Sequence, residues 1–290
     1  MQKPFFSIVV VSLNPGERLE KTLDSILKQT YTDYEVILKD GGSTDGSLGG
    51  LQEKGYFKNK KQIKIVQEKD NSIYDGMNQA VAKVSGRFVQ FLNCGDYFYS
   101  DRVLEEVAAF IEKSEKEQKD RCRNSDLGRE EFPRIYYGNQ YNQLQNTVVY
   151  SAPQINDFTC YRNVPCHQVC FYDYRLFEKR AYKTEYKVRA DHEHFLYSIY
   201  EEGAKGISLP VIVVSYEGGG FSETKENRKR SAIELREIAT KYLGKGKVFK
   251  YRMIMWLTLA PVRTMIAESP ALSGMYNGVK RGIYKLLGKR

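Results

Sequence analysis

The chain has 290 residues, of which 41% are apolar and 28% are charged, a composition typical of a soluble protein with one large domain. The net charge of +9 is unevenly distributed, because residues 225–290 carry 16 Lys and Arg against 4 Asp and Glu, whereas residues 1–224 have a net charge of −3. The longest apolar run, Met253–Val262, is about half of the ~20 residues that a membrane-spanning helix needs, which argues against a single-pass membrane protein. Five cysteines, an odd number, predict no disulfide framework and fit a reducing cytosol.

The first hundred residues alternate between strand-like and helix-like segments. Apolar, β-branched runs in "FFSIVVVSLN", "YEVILKD", "QIKIVQEKD" and "GRFVQFLNCGD" predict four strands, and the first of them is expected to be buried. Apolar residues at helical spacing in "ERLEKTLDSILKQT", "SIYDGMNQAVAKV" and "DRVLEEVAAFIEKSEKEQ" predict helices, with Ser72 as the cap of the second, and "TDGSLGGLQEKG" predicts a loop with a short helix. Four strand–helix units in a row predict an α/β fold, in which a mostly parallel sheet is flanked by helices.

The pattern changes after residue 116. A polar stretch to about residue 134 predicts a mobile insertion, and "RIYYGNQYNQLQNTVVYS" predicts a pair of strands. An extended lead into a helix follows in "EYKVRADHEHFLYSIYEEG", then a strand in "ISLPVIVVSYEGGG" and a basic helix in "KENRKRSAIELREIATKYLG". We therefore expect a main domain over residues 1–222 and a basic helical extension over residues 223–290.

Polar residues follow each of the four early strands: Ser12–Asn14, Asp40, Glu68–Asp70 and Asn93–Asp96. Parallel α/β sheets bind ligands beyond the carboxyl ends of their strands, so these residues predict a binding rim. Carboxylates there can accept hydrogen bonds from a ribose or a base, or hold Mg²⁺ or Mn²⁺ against a diphosphate. Neither a phosphate-binding G-x-x-x-x-G-K-[ST] loop nor a G-x-G-x-x-G after the first strand is present, which excludes the two commonest nucleotide motifs.

Each of these carboxylates also has an ordinary structural interpretation. Asp-Gly pairs are turn signals, so Asp40 and Asp45 could serve only their own loop, and we expect Asp45 to cap the following helix. Asp70 could start a turn, Asp96 could lie in a loop that precedes a helix, and Asp191 could cap the helix that follows it.

Histidine and cysteine offer little evidence for a metal site. The "CHQVC" segment lacks the second ligand pair of a structural zinc site. His192 and His194 are two positions apart and should not share a helix face, so we expect one to be exposed and one to be packed.

The segments described above resemble, in their order and spacing, a family 2 glycosyltransferase with the GT-A fold. The resemblance covers about the first 220 residues and includes "DGGSTDGS", which is close to the family's D-G-S-x-D-G-S, together with "KDNSIYDGMNQAVAKVSG", "FLNCGD" and "YKVRADHEHFL". It implies a Rossmann-like GT-A domain with a nucleotide-sugar half (about residues 1–115) and an acceptor half (about residues 135–222). The implied reaction moves a sugar, with inversion, from a nucleoside-diphosphate sugar, in particular a UDP-sugar, to a glycan or polyprenyl-linked acceptor hydroxyl in cell-surface polysaccharide biosynthesis.

The resemblance also implies which residues bind the nucleotide. It places Ser12 and Asn14, at the end of the first strand, against the base. Asp40 would accept a hydrogen bond from the base or ribose, and Asp70 would lie beside the ribose and diphosphate. Asn93 completes this nucleotide-binding set.

The chemical residues implied by the resemblance lie later in the chain. Asp96 in "NCGD" corresponds to the metal-binding carboxylate of the family's D-x-D element, with Mn²⁺ or Mg²⁺ as the ion. The other acid of that element is missing, so the resemblance leaves strict metal dependence open. Asp191 would be the general base, and His167 or Arg189 could contact the donor or acceptor and stabilise the leaving diphosphate.

The basic tail has two interpretations. Its mixture of Met, Trp, Ile and Leu with Lys and Arg is typical of a helix in the interface of an anionic membrane, and equally of a basic surface helix. We favour the membrane, which predicts a cytoplasmic protein held peripherally at the inner face of the cell membrane. Nucleic acid is not expected as a partner, because no nucleic-acid-binding motif is present.

Two other functions compete with glycosyl transfer. A sugar nucleotidyltransferase also combines a parallel sheet with acidic metal sites, but "SLNPGERLEK" after the first strand lacks the glycine-rich loop expected of it. A non-catalytic nucleotide-sugar-binding scaffold is compatible with the incomplete D-x-D element.

Overall fold

The computed structural model describes residues 3–58, 62–123, 132–218, 220 and 224–259. The chain forms two compact units, Met1–Ile238 and Ala239–Arg290. The first unit contains a single mixed sheet with helices against it. In the described part of the chain, no helix combines the length and the hydropathy needed to cross a bilayer.

The elements of the first half follow the predicted alternation. They are β1 (Phe6–Ser12), α1 (Arg18–Leu27), β2 (Tyr34–Asp40), α2 (Ser47–Glu53), β3 (Ile63–Gln67), α3 (Ile73–Val81), β4 (Phe88–Phe91), β5 (Tyr97–Phe98) and α4 (Val103–Arg123). The predicted polar insertion begins as part of α4, and residues 124–131 lie outside the described residues.

The second half supplies the elements β6 (Arg134–Asn142), β7 (Thr147–Val149), α5 (Asp157–Arg162), β8 (Cys170–Asp173), α6 (Arg175–Lys179), α7 (Ala190–Tyr200), β9 (Lys205–Tyr216) and α8 (Lys225–Leu257). A short 3₁₀ turn, His167–Val169, precedes β8. The helical geometry of α8 is interrupted at Gly244, where φ is 77° and ψ is 157°.

The strand order is β3-β2-β1-β4-β8-β6-β9-β5, with β7 paired to β6. The four early strands are parallel, as predicted, and their carboxyl ends therefore lie along one edge. Beyond β4 the pairing becomes mixed, because β8 is antiparallel to both β4 and β6, whereas β6 and β9 run parallel. This change of direction brings the start of β8 and the end of β9 toward the edge that carries the predicted rim.

Burial explains why the sequences of β1 and β2 are nearly continuous apolar runs. β2 is buried along its whole length and β1 along nearly all of it, since helices cover both faces of a parallel sheet. Ser72 caps α3 as predicted, with its hydroxyl accepting from the N–H of Asp75.

The prediction that one of the two histidines of α7 is exposed is wrong. His192 and His194 are both buried, because α7 is packed on most of its circumference. Burial lowers the pKa of each ring to about 4. Residues two positions apart point to opposite sides of a helix, so both are internal here because tertiary packing covers more than one side of α7.

Candidate active site

The loops after β1 and β2 are joined by hydrogen bonds. The N–H of Asn14 donates to Ser43 Oγ (2.8 Å), and Asn14 Oδ1 accepts from the N–H of Thr44 (2.8 Å). Asp45 Oδ2 accepts from the N–H of Gly16 at 2.9 Å, and its Oδ1 accepts from Ser47. Asp45 therefore supports the start of α2 from one position before the N-cap residue, and it also connects the two loops.

Asp40 is fully buried at the carboxyl end of β2. Its Oδ1 accepts from the N–H groups of Gly42 (3.0 Å) and Ser43 (2.9 Å), and its Oδ2 accepts from the hydroxyl of Ser43 (2.5 Å). The neighbouring Ser12 hydroxyl lies 3.4 Å from the carbonyl of Lys39. The carboxylate of Asp40 thus organises its own loop at the rim.

Asp70 is held by a buried lysine that the sequence did not single out. Lys39 is completely buried, and its ammonium donates to the carbonyls of Asp40 (3.0 Å) and Glu68 (2.6 Å) and to Asp70 Oδ2 (2.8 Å). Three acceptors satisfy all three ammonium protons, which is the condition for burying this charge. The β2 strand therefore fixes the carboxylate that follows β3.

Two glycines make room for the Asp70 carboxylate. A Cβ added to Gly41 would lie 2.7 Å from Asp70 Oδ2, and one added to Gly76 would lie 3.0 Å from it. Neither glycine is needed for a left-handed backbone, since no positive φ is recorded at either position. Close approach of the carboxylate is thus the physical reason for glycine at both positions.

Gln168 clamps the loop that carries Asp96. Its Nε2 donates to Asp96 Oδ2 (2.7 Å) and its Oε1 accepts from the N–H of Asn93 (2.8 Å). Because Oε1 must accept from a backbone donor, the amide presents Nε2 to the carboxylate. The side-chain Oδ1 of Asn93 is buried and has no hydrogen-bond partner among the residues that the structure describes.

Asp96 is also tied to the end of β9. Its Oδ1 accepts from the N–H of Glu217 at 2.8 Å. Burial raises the pKa of the Asp96 carboxyl, against the lowering effect of the hydrogen bonds from the Glu217 N–H and from Gln168, and the Glu217 carboxylate raises it further. A cation at this edge would offset both effects that disfavour the ionised form.

Asp191, at the start of α7, accepts hydrogen bonds on both oxygens. The hydroxyl of Tyr74 lies 2.8 Å from Oδ1, and Nδ1 of His167 lies 3.1 Å from Oδ2. The side chain keeps 20% of its surface exposed. It is therefore both anchored and accessible.

The electrostatics of Asp191 favour its ionised form. Burial opposes ionisation, but the hydrogen bonds from His167 and from the Tyr74 hydroxyl, together with the charge of Arg189, hold the pKa of Asp191 well below its usual range. A carboxylate at this position is charged at neutral pH and can only accept protons or hydrogen bonds.

Arg189 is hydrogen-bonded to two residues of α8. Its Nε donates to the hydroxyl of Ser231 (2.7 Å), and its backbone N–H donates to Glu234 Oε2 (2.9 Å). Its charge influences Asp191, but its side-chain hydrogen bond is with Ser231 of α8.

A metal ion would find few protein ligands among the described residues. No group of three or more His, Cys, Asp or Glu side chains among them is placed to hold a metal ion. Asp96 is the predicted ligand, and each of its oxygens retains a lone pair beyond the bond that it already accepts. Since Mg²⁺ is commonly bound by one or two carboxylates together with substrate phosphates, these residues fit an ion held largely by a diphosphate.

The structure links three of the predicted site residues to partners that sequence reasoning missed. Asp70, Asp96 and Asp191 each bond to a residue from a distant segment: Lys39, Gln168 and Tyr74. Tyr74 and Gln168 lie in the motifs "KDNSIYDGMNQAVAKVSG" and "CHQVC", close to Ser72 and His167. Their place in these motifs was the sequence signal that could have identified them. Nothing in the local pattern marked Lys39.

The sheet combines a parallel half that ends in an acidic rim with a mixed second half, and helix α7, between β8 and β9, supplies Asp191. Solved structures agree at the level of fold. TarS of Staphylococcus aureus, as residues 1–349 in complex with UDP-GlcNAc, matches with a TM-score of 0.61 at 18% identity over 83% of this chain and 72% of that one. The chain spans 43% of a longer TarS structure. The mannosyltransferase PcManGT from Pyrobaculum calidifontis, in complex with GDP-Man and Mn²⁺, matches with a TM-score of 0.61 at 16% identity over 98% of this chain and 82% of that one.

Sequence comparison identifies the family. The Glycosyl transferase family 2 profile matches residues 7–159. A Mycobacterium tuberculosis protein described as a PGL/p-HBAD biosynthesis glycosyltransferase is 32% identical over 241 residues, which are 81% of this chain and 87% of that protein. The putative teichuronic acid biosynthesis glycosyltransferase TuaG of Bacillus subtilis is 32% identical over 113 residues, 39% of this chain and 44% of that protein. The chain belongs to glycosyl transferase family 2, and its GT-A fold agrees with the sequence prediction.

Proposed function

We propose that the protein transfers a hexosyl or N-acetylhexosaminyl group, with inversion, from a UDP-sugar to a hydroxyl of a glycan or lipid-linked acceptor in surface polysaccharide synthesis. The observation that carries this proposal is the Asp191 carboxylate, which is accessible, lies in surroundings that favour its ionised form, and is linked through the adjacent residues His167 and Gln168 to Asp96 on the donor rim. The descriptions of the mycobacterial and Bacillus relatives support the acceptor class. The UDP-GlcNAc complex of TarS supports the donor class.

The donor would bind along the carboxyl edge of β1 to β4. Ser12, Asn14 and Asn93 would border the base and ribose, and Asp70, fixed by Lys39, would accept from ribose hydroxyls. Asp40 is fully buried and would act through the loop that it organises.

The acceptor hydroxyl would approach Asp191. As its oxygen attacks the anomeric carbon opposite the diphosphate, Asp191 takes the hydroxyl proton, and the bond between the anomeric carbon and the diphosphate breaks with its electron pair on the leaving group. Asp96 would hold Mg²⁺ or Mn²⁺, which when bound would stabilise the negative charge of that leaving group. Arg189 adds positive charge near Asp191.

The helical segment after Gly244 suggests where the enzyme works. Phe249, Met253, Trp256 and Leu257 are exposed, and at 3.6 residues per turn they fall within an arc of about 100°. Lys250 and Arg252 stand on opposite flanks of this stripe. Such a helix suits the interface of an anionic membrane, which would hold the protein peripherally at the cytoplasmic face, beside a lipid-linked acceptor.

Calorimetric titration with UDP, GDP, CDP and dTDP, each with and without Mn²⁺, tests the donor site. We expect UDP to bind most tightly and Asp96→Ala to weaken the metal-dependent part. Asp191→Asn should abolish transfer while it leaves UDP binding intact. If no nucleotide binds to the folded protein, the donor site is refuted; nucleotide binding without transfer to any acceptor would instead favour a binding scaffold.

A further inference from the structure

We propose that His167 is a positioning residue that holds Asp191 through its Nδ1–H, in the neutral Nδ1-protonated tautomer. This inference rests on the proposed role of Asp191 as the base. It gives the ring an indirect role, through the carboxylate, in place of the direct contact with donor or acceptor that the family resemblance suggested.

The hydrogen-bonding geometry determines which ring nitrogen carries the proton. His167 Nδ1 lies 3.1 Å from Asp191 Oδ2, and an ionised carboxylate can only accept, so Nδ1 must be the donor. The other nitrogen, Nε2, is buried and has no hydrogen-bond partner in the described part of the chain. An N–H there would be a buried donor without an acceptor, which is costly, so the neutral ring is favoured.

The ring is held from the donor side of the site. His167 opens the 3₁₀ turn, and the next residue, Gln168, binds Asp96 with its side chain and accepts from Gln90 Nε2 (2.7 Å) with its carbonyl. The ring also packs edge-on against Phe91 of β4, with 6.4 Å between centroids. One short turn therefore sets the positions of both the metal-side carboxylate and the proposed base.

The other two histidines of the chain make a different contact. His192 Nε2 lies 3.2 Å from the carbonyl of Cys160, and His194 Nε2 lies 2.9 Å from the carbonyl of Arg180. A carbonyl accepts only, so both rings carry their proton on Nε2. The chain has three histidines, and His167 is the one predicted to be the Nδ1–H tautomer.

Tautomer-sensitive NMR of the full chain, labelled with ¹⁵N-histidine, tests this without any substrate. We expect two Nε2–H rings and one Nδ1–H ring at neutral pH, with the latter assigned by its loss in His167→Asn. Asp191→Ala should change the shifts of that ring and leave the other two in place. If His167 is an Nε2–H tautomer, or does not respond to Asp191→Ala, the proposal is overturned.

A transfer assay with three variants tests whether catalysis depends on the Nδ1–H of His167. The amide nitrogen of Asn can replace Nδ1 and that of Gln can replace Nε2, so His167→Asn should retain most of kcat. His167→Gln and His167→Ala should lose about 10- to 100-fold in kcat, with little change in the donor KM, because a misplaced base slows chemistry more than binding. Rescue by Gln and not by Asn, or equal kcat for all three variants, would contradict the positioning role. Absence of transfer in the unaltered protein would refute the proposed function instead, and the NMR result would still stand.

Discussion

The phenolic oxygen of Tyr74 lies 2.8 Å from Asp191 Oδ1 and also 2.8 Å from the carbonyl oxygen of Val188. The hydroxyl has one proton, so it can donate to only one of these acceptors at a time. Tyr74 lies on α3, directly after the donor rim, whereas Asp191 begins α7. This contact couples the position of the proposed base to the helix that starts beside Asp70.

Tyr74→Phe should therefore lower kcat by about 10-fold or more, because Asp191 loses one of its two fixed partners. The donor KM should change little, since the ring and the fold of α3 remain. Steady-state kinetics with a UDP-sugar and a matched acceptor measures both constants.

Tyr34→Phe is the matched control for this experiment. The Tyr34 hydroxyl also makes a buried hydrogen bond, to the carbonyl of Ile26 at 2.9 Å, but it does not contact Asp191. Both variants should lose about 1 kcal/mol of unfolding free energy. An equal loss of kcat in the two would show that the Tyr74 effect is a general loss of stability.

Gly76→Ala should weaken donor binding. The new Cβ would lie 3.0 Å from Asp70 Oδ2, the oxygen that accepts from Lys39, and would displace this carboxylate. We expect the donor KM to rise about 10-fold. Gly49→Ala is the control, because Gly49 is also helical and has nothing within 4 Å of an added Cβ, so this variant should keep its KM.

Gln168→Ala should impair the donor site through Asp96. It removes the donor to Asp96 Oδ2 and leaves the N–H of Asn93 without its acceptor, at a cost of about 1–3 kcal/mol in stability. UDP binding in the presence of Mn²⁺ should weaken, as calorimetry would measure.

Gln29→Ala separates this effect from destabilisation alone. Gln29 is another buried clamp, with its amide bonded to the carbonyls of Ser25 and Ser100 and to the N–H of Leu104, away from the rim. It should lose similar stability and keep its affinity for UDP. Equal loss of UDP affinity in both variants would argue against a specific role for Gln168.

Acid should destabilise the protein partly through Asp191. In the unfolded chain this carboxyl has a pKa of about 3.9, whereas the folded environment holds its pKa lower. The unfolded state therefore binds more protons below about pH 4, and the stability that Asp191 contributes above that pH is lost as the pH falls toward its folded pKa. Urea unfolding at pH 6 and pH 3 should show a smaller acid-induced loss in Asp191→Asn than in the unaltered protein. An identical loss in both would mean that the folded environment does not favour ionised Asp191.

Trp256 is the single tryptophan of the chain and is 66% exposed, so its fluorescence reports on the proposed membrane contact. Vesicles containing anionic lipid should shift its emission to the blue, and high salt should weaken the effect. Zwitterionic vesicles are the lipid control, and Lys250→Glu with Arg252→Glu should reduce binding. No shift with any vesicle would leave the basic surface helix as the better interpretation of this segment.

The sequence by itself determined the alternation of β1 to β4 with their helices and the polar residues at the strand ends. These features follow from local periodicity and from the geometry of parallel strands, so Asp40, Asp70 and Asp96 could be placed on one edge in advance. The resemblance of the "RADHEHF" segment added Asp191 as the proposed base.

Only the tertiary structure decided how those carboxylates are held. Lys39 reaches Asp70, Gln168 reaches Asp96, and Tyr74 and His167 reach Asp191, each across a long stretch of chain. No periodicity encodes such contacts, because they depend on which strand ends and helix starts the sheet order brings together. The same reason explains why both His192 and His194 are internal: packing from several elements, and not helical spacing, sets the burial of α7.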